Sequence, residues 1–275
     1  MIKLIATDMD GTLLNDDHAM VSQRNVDALR RAAEQGIEVV ISSGRTWSLL
    51  KEIADQLGVV RYVVMSNGAA VLDRQTGEWV LQKGMPKEQA LKFVEILLRY
   101  GAGFELFCEG QNYVDRRYEA LVMKEAPSAA YGAMFRRQAM IVDDLRPVIE
   151  KKLVEKLYVF HVEPGTQGRI EEELRAVGPY ESACAYESNM EITAPGVDKG
   201  EALKELCRKL DIDASEVMAF GDADNDLGML AWAGCSFAMA NGTDKAKAAA
   251  KGLTGTNSDS GVAQGVERWA LAQQN

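Results

Sequence analysis

Leu4-Ile5-Ala6-Thr7-Asp8-Met9-Asp10-Gly11-Thr12 is the stretch from which the rest of the chain can be read. The run from Lys3 to Thr7 is too short for a helix and has the apolar texture of a strand buried on both faces. It stops at two aspartates one residue apart, followed by a glycine. Two like charges just past a buried strand have no evident structural use, whereas a ligand beyond the carboxyl end of a parallel sheet calls for them. If the extended backbone persists, Asp8 and Asp10 share side-chain parity and face one site. Carboxylates that close repel each other unless a cation lies between them or one holds a proton. The stretch therefore suggests a divalent metal with one carboxylate as nucleophile; an ordinary Asp-Gly turn is the competing reading.

Outward from this strand the chain alternates. Ser22 to Ala33 has helical spacing, with Ser22 to cap it and Gly36 to end it. Ile37 to Ile41 is a strand that ends in Ser42-Ser43-Gly44-Arg45. A second helix follows from the Thr46 cap to Leu57, and then a strand, Tyr62 to Met65, that ends in Ser66-Asn67-Gly68. This order predicts a parallel sheet with right-handed crossovers, and three strands ending in polar turns on one edge. Ala69 to Asp73 and Trp79 to Leu81 read as a hairpin around Gly77.

From Pro86 the texture changes. A helix to about Arg99 is followed by short strands (Phe104 to Cys108, Tyr113 to Asp115, Ala139 to Val142, Leu157 to Val162, Tyr180 to Tyr186). Between them lie helical segments at Glu119 to Lys124, Pro147 to Val154 and Gln167 to Ala176. Regular alternation then resumes with a strand at Met190 to Thr193, a helix at Asp198 to Leu210 and a strand at Val217 to Phe220. The remainder is a helix at Asn225 to Ala233, a strand at Ser236 to Met239, and helices at Asp244 to Ala250 and Val262 to Ala272. The expectation is an α/β protein with a Rossmann-like parallel-sheet core formed by residues 1–84 and 190–275, helices on both faces, and an inserted α+β domain at 85–189.

The whole chain narrows the function. Its 275 residues suffice for one large or two modest domains, and 47% hydrophobic residues is ordinary for a globular fold. No apolar run approaches the roughly 20 residues of a membrane span, and the N-terminus lacks a signal-peptide layout. The four cysteines (Cys108, Cys184, Cys207, Cys235) are scattered, which disfavours a zinc site or disulfide framework and suits a cytoplasmic setting. A net charge of -10 argues against nucleic-acid binding but allows a small anionic substrate in a locally positive pocket. No obligate protein partner is evident, and oligomeric state is not indicated. The two histidines, His18 and His161, read as structural, so a His-ligated metal or a His-dependent triad is not expected.

Two further stretches carry charge at strand ends or helix starts. Asp198 suits a helix cap, but Lys199 in the first turn opposes the helix dipole; it is either a surface lysine or one aimed at a bound phosphate. In Gly221-Asp222-Ala223-Asp224-Asn225-Asp226, the last three acidic or amide residues suit a helix N-terminus, while Asp222 follows its strand as Asp8 follows its own. Ser43-Gly44 adds a hydroxyl and an approachable amide, or is a plain strand-to-helix turn.

Taken together, Asp8-Met9-Asp10-Gly11-Thr12, Ser43-Gly44-Arg45, Asp198-Lys199-Gly200 and Gly221-Asp222-x-x-Asn225-Asp226 resemble the four ordered motifs of the haloacid-dehalogenase-like hydrolases. The long insert, with the Asn67-Gly68-Ala69 turn before it, resembles the Cof-type phosphatases of that superfamily. Ser43 stands where many members carry threonine, and no substrate-defining signature is recognisable in the insert. The resemblance implies a phosphatase for small phosphorylated metabolites, such as sugar phosphates, with Mg2+ as cofactor. Asp8 would be the nucleophile that forms an aspartyl-phosphate, and Asp10 the acid/base. Asp8, the Asp10 backbone carbonyl and Asp222 would hold the metal, with Asp226 orienting the metal waters or Lys199. Ser43, the amides of Met9 and Gly44, Lys199 and Asn225 would bind phosphoryl oxygens, and Arg45 and Asn67 are candidates for substrate contact. The insert would be a mobile cap that selects the organic part of the substrate. A phosphomutase on a sugar phosphate, or a non-catalytic phosphometabolite-binding protein, are the alternatives.

Overall fold

The computed structural model describes residues 1–183 and 189–272. The chain divides into two compact units, Met1–Leu81 with Asp198–Asn275, and Gln82–Val197.

In chain order the first unit opens with β1 (Leu4–Thr7), α1 (Gln23–Glu34), β2 (Glu38–Ser42), α2 (Trp47–Leu57), β3 (Val60–Met65), β4 (Ala70–Asp73) and β5 (Trp79–Gln82). Local signals start and stop these helices. The Ser22 hydroxyl accepts from the Asn25 amide at the head of α1, and Gly58 ends α2 in the left-handed region at φ 73°. The second unit contributes α3 (Lys87–Arg99), β6 (Gly103–Cys108), β7 (Gln111–Asp115), α4 (Glu119–Lys124), α5 (Ala129–Gln138), β8 (Met140–Val142), α6 (Arg146–Lys151), β9 (Val154–His161), α7 (Gln167–Val177), β10 (Glu181–Ala183) and β11 (Met190–Thr193). The chain then returns with α8 (Lys199–Leu210), β12 (Val217–Gly221), α9 (Leu227–Trp232), β13 (Cys235–Ala238), α10 (Asp244–Ala249), β14 (Gly252–Leu253) and α11 (Gly261–Gly265).

The first unit is built on one sheet of order β14-β13-β12-β1-β2-β3-β4-β5. From β14 to β3 all neighbours run parallel; β4 joins β3 antiparallel. The chain winds outward from β1 through β2 and β3, then returns to the other side of β1 with β12. The winding direction therefore reverses between β1 and β12, where α/β sheets open a crevice for ligands. Successive strand residues pack opposite faces. Ile5, Val39, Ile41 and Met218 meet Leu29, Leu50 and Val262 on one side. Leu4, Ala6, Val40 and Val217 meet Ala202, Leu203 and Leu206 on the other. Helices thus cover both faces, as the near-continuous apolar strands require.

The second unit has a six-stranded sheet, β10-β11-β9-β6-β7-β8, antiparallel except for the β7–β8 pair. One face carries Phe104, Leu106, Leu157, Val159 and Ile192, all fully buried. Register sets Glu105, Phe107, Lys156, Tyr158 and Glu191 on the opposite face. There the Lys156 ammonium meets Glu191 at 2.8 Å and lies 4.7 Å from the centre of the Phe107 ring.

Two expectations need correction. Met190–Thr193 was expected in the core domain; it pairs with β9 and β10 in the second sheet, so this unit runs to Val197. The helix expected over Pro147 to Val154 ends at Lys151, because Lys152 turns extended (φ -129°, ψ 151°) and β9 begins at Val154. The helix α5 is an addition to the elements read from the sequence. For the strand expected over Tyr180 to Tyr186, β10 covers Glu181–Ala183, and the remainder, with Cys184, lies outside the described residues. Cys108, Cys207 and Cys235 are free thiols. Among the described residues no helix is long and apolar enough to cross a membrane.

Candidate active site

The site residues lie beyond the carboxyl ends of β1, β2, β3 and β12, all on one edge of the first sheet. β1 and β12 stay paired up to the first aspartate, whose amide donates to the Phe220 carbonyl at 3.0 Å. Past it the chain turns at Gly11, at φ 75°. A Cβ there would fall on the Asp222 carboxylate, so the two acidic turns can meet only with glycine at this position.

Lys199 is the centre of the arrangement. It starts α8 behind the Asp198 cap, whose carboxylate accepts from the Glu201 amide at 3.0 Å. The lysine side chain is fully buried, and its ammonium donates to Asp8 Oδ1 at 2.7 Å and Asp226 Oδ1 at 2.8 Å. The other oxygen of Asp226 accepts the Asp222 and Ala223 amides at 2.9 and 3.1 Å. Asp226 therefore ties the lysine to the loop that carries Asp222. Asp222 in turn accepts from the Thr12 hydroxyl at 2.6 Å. Carboxylate oxygens of Asp8, Asp222 and Asp226 come within 4.8 Å of one another.

Asp10 departs from the simple parity expectation. Its half-exposed carboxylate is held by Arg45, with Nε at 2.8 Å from Oδ2, and by His18 Nδ1 at 2.8 Å from Oδ1. It thus belongs to an Arg45–His18 cluster, while Asp8 belongs to Lys199. Met9 between them sends its side chain fully into the apolar core, which leaves only its backbone for a ligand.

In the second loop, the Ser43 hydroxyl accepts from the Arg45 amide at 3.2 Å, a local turn that holds the side chain at the strand end. Ser43 and Arg45 are buried, and Gly44 between them is half-buried. Asn225 donates from Nδ2 to Asn67 Oδ1 at 3.2 Å, which joins the fourth motif to the β3–β4 turn.

The charges sort these groups. Burial pushes Asp8 well above the usual carboxylate range; Asp226 adds to this and Lys199 opposes it. Burial, then Asp226, pushes Asp222 up to about 6 against the Thr12 and Lys199 contributions. Burial alone would lower the Lys199 pKa, but Asp226 and Asp8 outweigh it and raise it. For Asp10, burial acts upward, yet the Arg45 guanidinium and then the His18 hydrogen bond win and hold it well below the usual range. His18 is itself raised, first by its bond to Asp10 and against its burial. Carboxylates outnumber fixed cations here, and every candidate metal donor is a hard oxygen, a composition that fits a divalent ion such as magnesium.

His18 and Thr12 are the neighbours that residue-level reading did not assign to the site. His18 sits in a left-handed backbone conformation (φ 56°) in a polar loop, which gives no periodic signal. Thr12 lay inside the first motif, and its hydroxyl two residues past Asp10 was the available clue.

A family model described as haloacid dehalogenase-like hydrolase matches residues 5–266. A 5-amino-6-(5-phospho-D-ribitylamino)uracil phosphatase of Bacillus subtilis is 30% identical over 271 residues, 98% of this chain and 96% of that protein. An Escherichia coli protein of the same description is 29% identical, covering 97% of this chain and 96% of its own length. A crystal structure of a haloacid dehalogenase-like hydrolase from Bacteroides thetaiotaomicron superposes with a TM-score of 0.85 at 27% identity, over 98% of this chain and 99% of that one.

Proposed function

The chain belongs to the haloacid dehalogenase-like hydrolases, and from that premise we propose that it is a magnesium-dependent phosphatase for small phosphorylated metabolites, acting through an aspartyl-phosphate. The observation that carries this reading is the buried Lys199 ammonium between Asp8 and Asp226, beside Asp222, at the reversal point of the sheet.

Asp8 is the nucleophile. Lys199 holds its Oδ1, so Oδ2 forms the bond to phosphorus while the ester oxygen departs with the bonding pair. The Lys199 charge faces the phosphoryl group, and the Ser43 hydroxyl, the Met9 and Gly44 amides and the Asn225 amide supply further donors to its oxygens. Asp10 gives a proton to the leaving oxygen and then takes one from the water that cleaves the aspartyl-phosphate. Held by Arg45 and His18 it is a carboxylate, the form required for the second half; the first half requires it to exchange Arg45 for a proton. Asp8, the Asp10 carbonyl and Asp222 would hold magnesium, which when bound draws charge from the phosphoryl oxygens. Asp226, taken up by Lys199 and two amides, maintains this arrangement.

Sugar phosphates are the first substrate class to test, and the phosphorylated ribityl compound named for the relatives is one member of the wider set. The purified protein should release phosphate from p-nitrophenyl phosphate with magnesium and lose that activity on chelation. Asp8→Asn should fold normally and lose at least about a thousandfold in turnover. Absence of turnover by the wild type on a broad panel of phosphate esters would instead favour a binding protein. Near-normal rates in Asp8→Asn would remove the nucleophile from the scheme.

A further inference from the structure

We propose that Asn67 is a positioning residue: it orients the Asn225 amide toward the phosphoryl group and does not itself contact substrate. The inference deepens the reading of Asn225 as a phosphoryl ligand and rests on it.

The β3–β4 turn is conformationally unusual. Ser66, Asn67 and Gly68 follow one another at φ 51°, 60° and 98°, and the first two are buried residues with side chains. Left-handed backbone at consecutive non-glycine residues persists only where the surroundings over-determine it. Here they do so from three directions. The Ser66 amide donates to the Arg45 carbonyl at 3.0 Å and the Asn67 amide to the Ser43 carbonyl at 3.1 Å. Gly68 packs so closely on the start of α8 that a Cβ would strike the Asp198 carbonyl and come 3.0 Å from the Lys199 backbone nitrogen. Asn67 Oδ1 accepts from Asn225 Nδ2 at 3.2 Å. One hairpin tip thus touches the loops that bear Ser43, Lys199 and Asn225.

The choice of asparagine follows from these contacts. A primary amide has two N–H donors on one end and an acceptor on the other, and a half-turn exchanges them. An acceptor opposite Asn225 Nδ2 selects the orientation with the NH2 group on this side. One N–H then serves Asn67, and the second is left for an anionic oxygen. Asparagine tolerates the left-handed backbone better than other residues with side chains and supplies that acceptor. Glycine would meet the backbone demand alone, alanine neither, and aspartate both, with an added negative charge.

A double-mutant cycle in kcat/KM for p-nitrophenyl phosphate, with inhibition by inorganic phosphate as second readout, tests this. Asn67→Gly keeps the backbone and deletes the acceptor; Asn225→Ala deletes the donor. Each should lower kcat/KM about tenfold and weaken phosphate inhibition, with the thermal midpoint of Asn67→Gly close to wild type. The double variant should fall no more than about twofold below the worse single one. Multiplying losses in the double variant would overturn the inference, as would wild-type behaviour of Asn67→Gly while Asn225→Ala is impaired. An unimpaired Asn225→Ala would overturn both the inference and the role of Asn225 beneath it.

Discussion

Lys199 is fully buried with a carboxylate on either side, and this single residue shows what a side chain's surroundings add to its position in the chain. At the first turn of a helix a lysine works against the dipole, so its residue type alone left open a surface role. Burial between Asp8 and Asp226 removes that option. Replacing it by methionine would leave two buried carboxylates facing each other without their cation. Lys199→Met should therefore destabilise the protein by about 3–5 kcal/mol and cut turnover at least about a hundredfold. Urea unfolding and steady-state kinetics check the two parts separately; unchanged stability would mean that the pair is not buried as described. The acidic residues were legible for a related reason. Asp8 and Asp222 each follow an apolar strand directly, where charge is costly without a purpose. His18 was not legible, because its approach to Asp10 depends on the path of an irregular loop that leaves no pattern in residue order. The same loop explains why Asp8 and Asp10, although of equal parity, enter different clusters.

Elements were readable where periodicity and punctuation agree. The strands from β1 to β3 and the helices between them have apolar spacing closed by Ser22, Gly36, Thr46 or Gly58, and they appear in that order. The helix α5 has only Gly132, Met134 and Phe135 buried, too weak a stripe to stand out, although Ser128 caps it by accepting from the Tyr131 amide. The allegiance of β11 was hidden differently: a strand's residues announce a strand, and its partner is set by contacts far along the chain. The β3–β4 and β4–β5 turns make this distinction measurable. Gly68 and Gly77 both have positive φ, 98° and 75°, yet a Cβ at 77 meets nothing within 4 Å while one at 68 strikes the head of α8. Gly77→Ala should cost only the backbone term, about 1 kcal/mol. Gly68→Ala should cost roughly 2 kcal/mol or more, and also activity, because it pushes the tip away from Asp198 and Lys199. Calorimetry of the two variants should give clearly different midpoints; equal shifts would mean that the close approach at Gly68 is not tight.

At the scale of the whole molecule, one family match runs from residue 5 to 266, yet the two units differ in how far they explain themselves. The first concentrates its polar groups at strand ends, where short motifs reveal them. The second spreads them over one face of a sheet whose strands come from distant parts of the chain, so no local motif collects them. Glu105 is the clearest case. It is buried on β6, accepts from Asn112 Nδ2 at 3.1 Å, and is pushed up to about 7 by burial, with Asn112 and Lys156 acting against the shift. The folded protein therefore holds this proton more tightly than the unfolded chain, where the carboxyl titrates near 4.5. Stability from this group is fully present below that lower value and is lost as pH rises toward 7, by on the order of 3 kcal/mol. Glutamine keeps the shape and cannot ionise. Glu105→Gln should match the wild type near pH 4.5 and become progressively more stable than it up to about pH 7, with little further change above. Denaturant midpoints followed by circular dichroism across that range read the difference directly. A gap that stays constant with pH would mean that Glu105 is ionised in the folded sheet, with Lys156 close enough to compensate its charge.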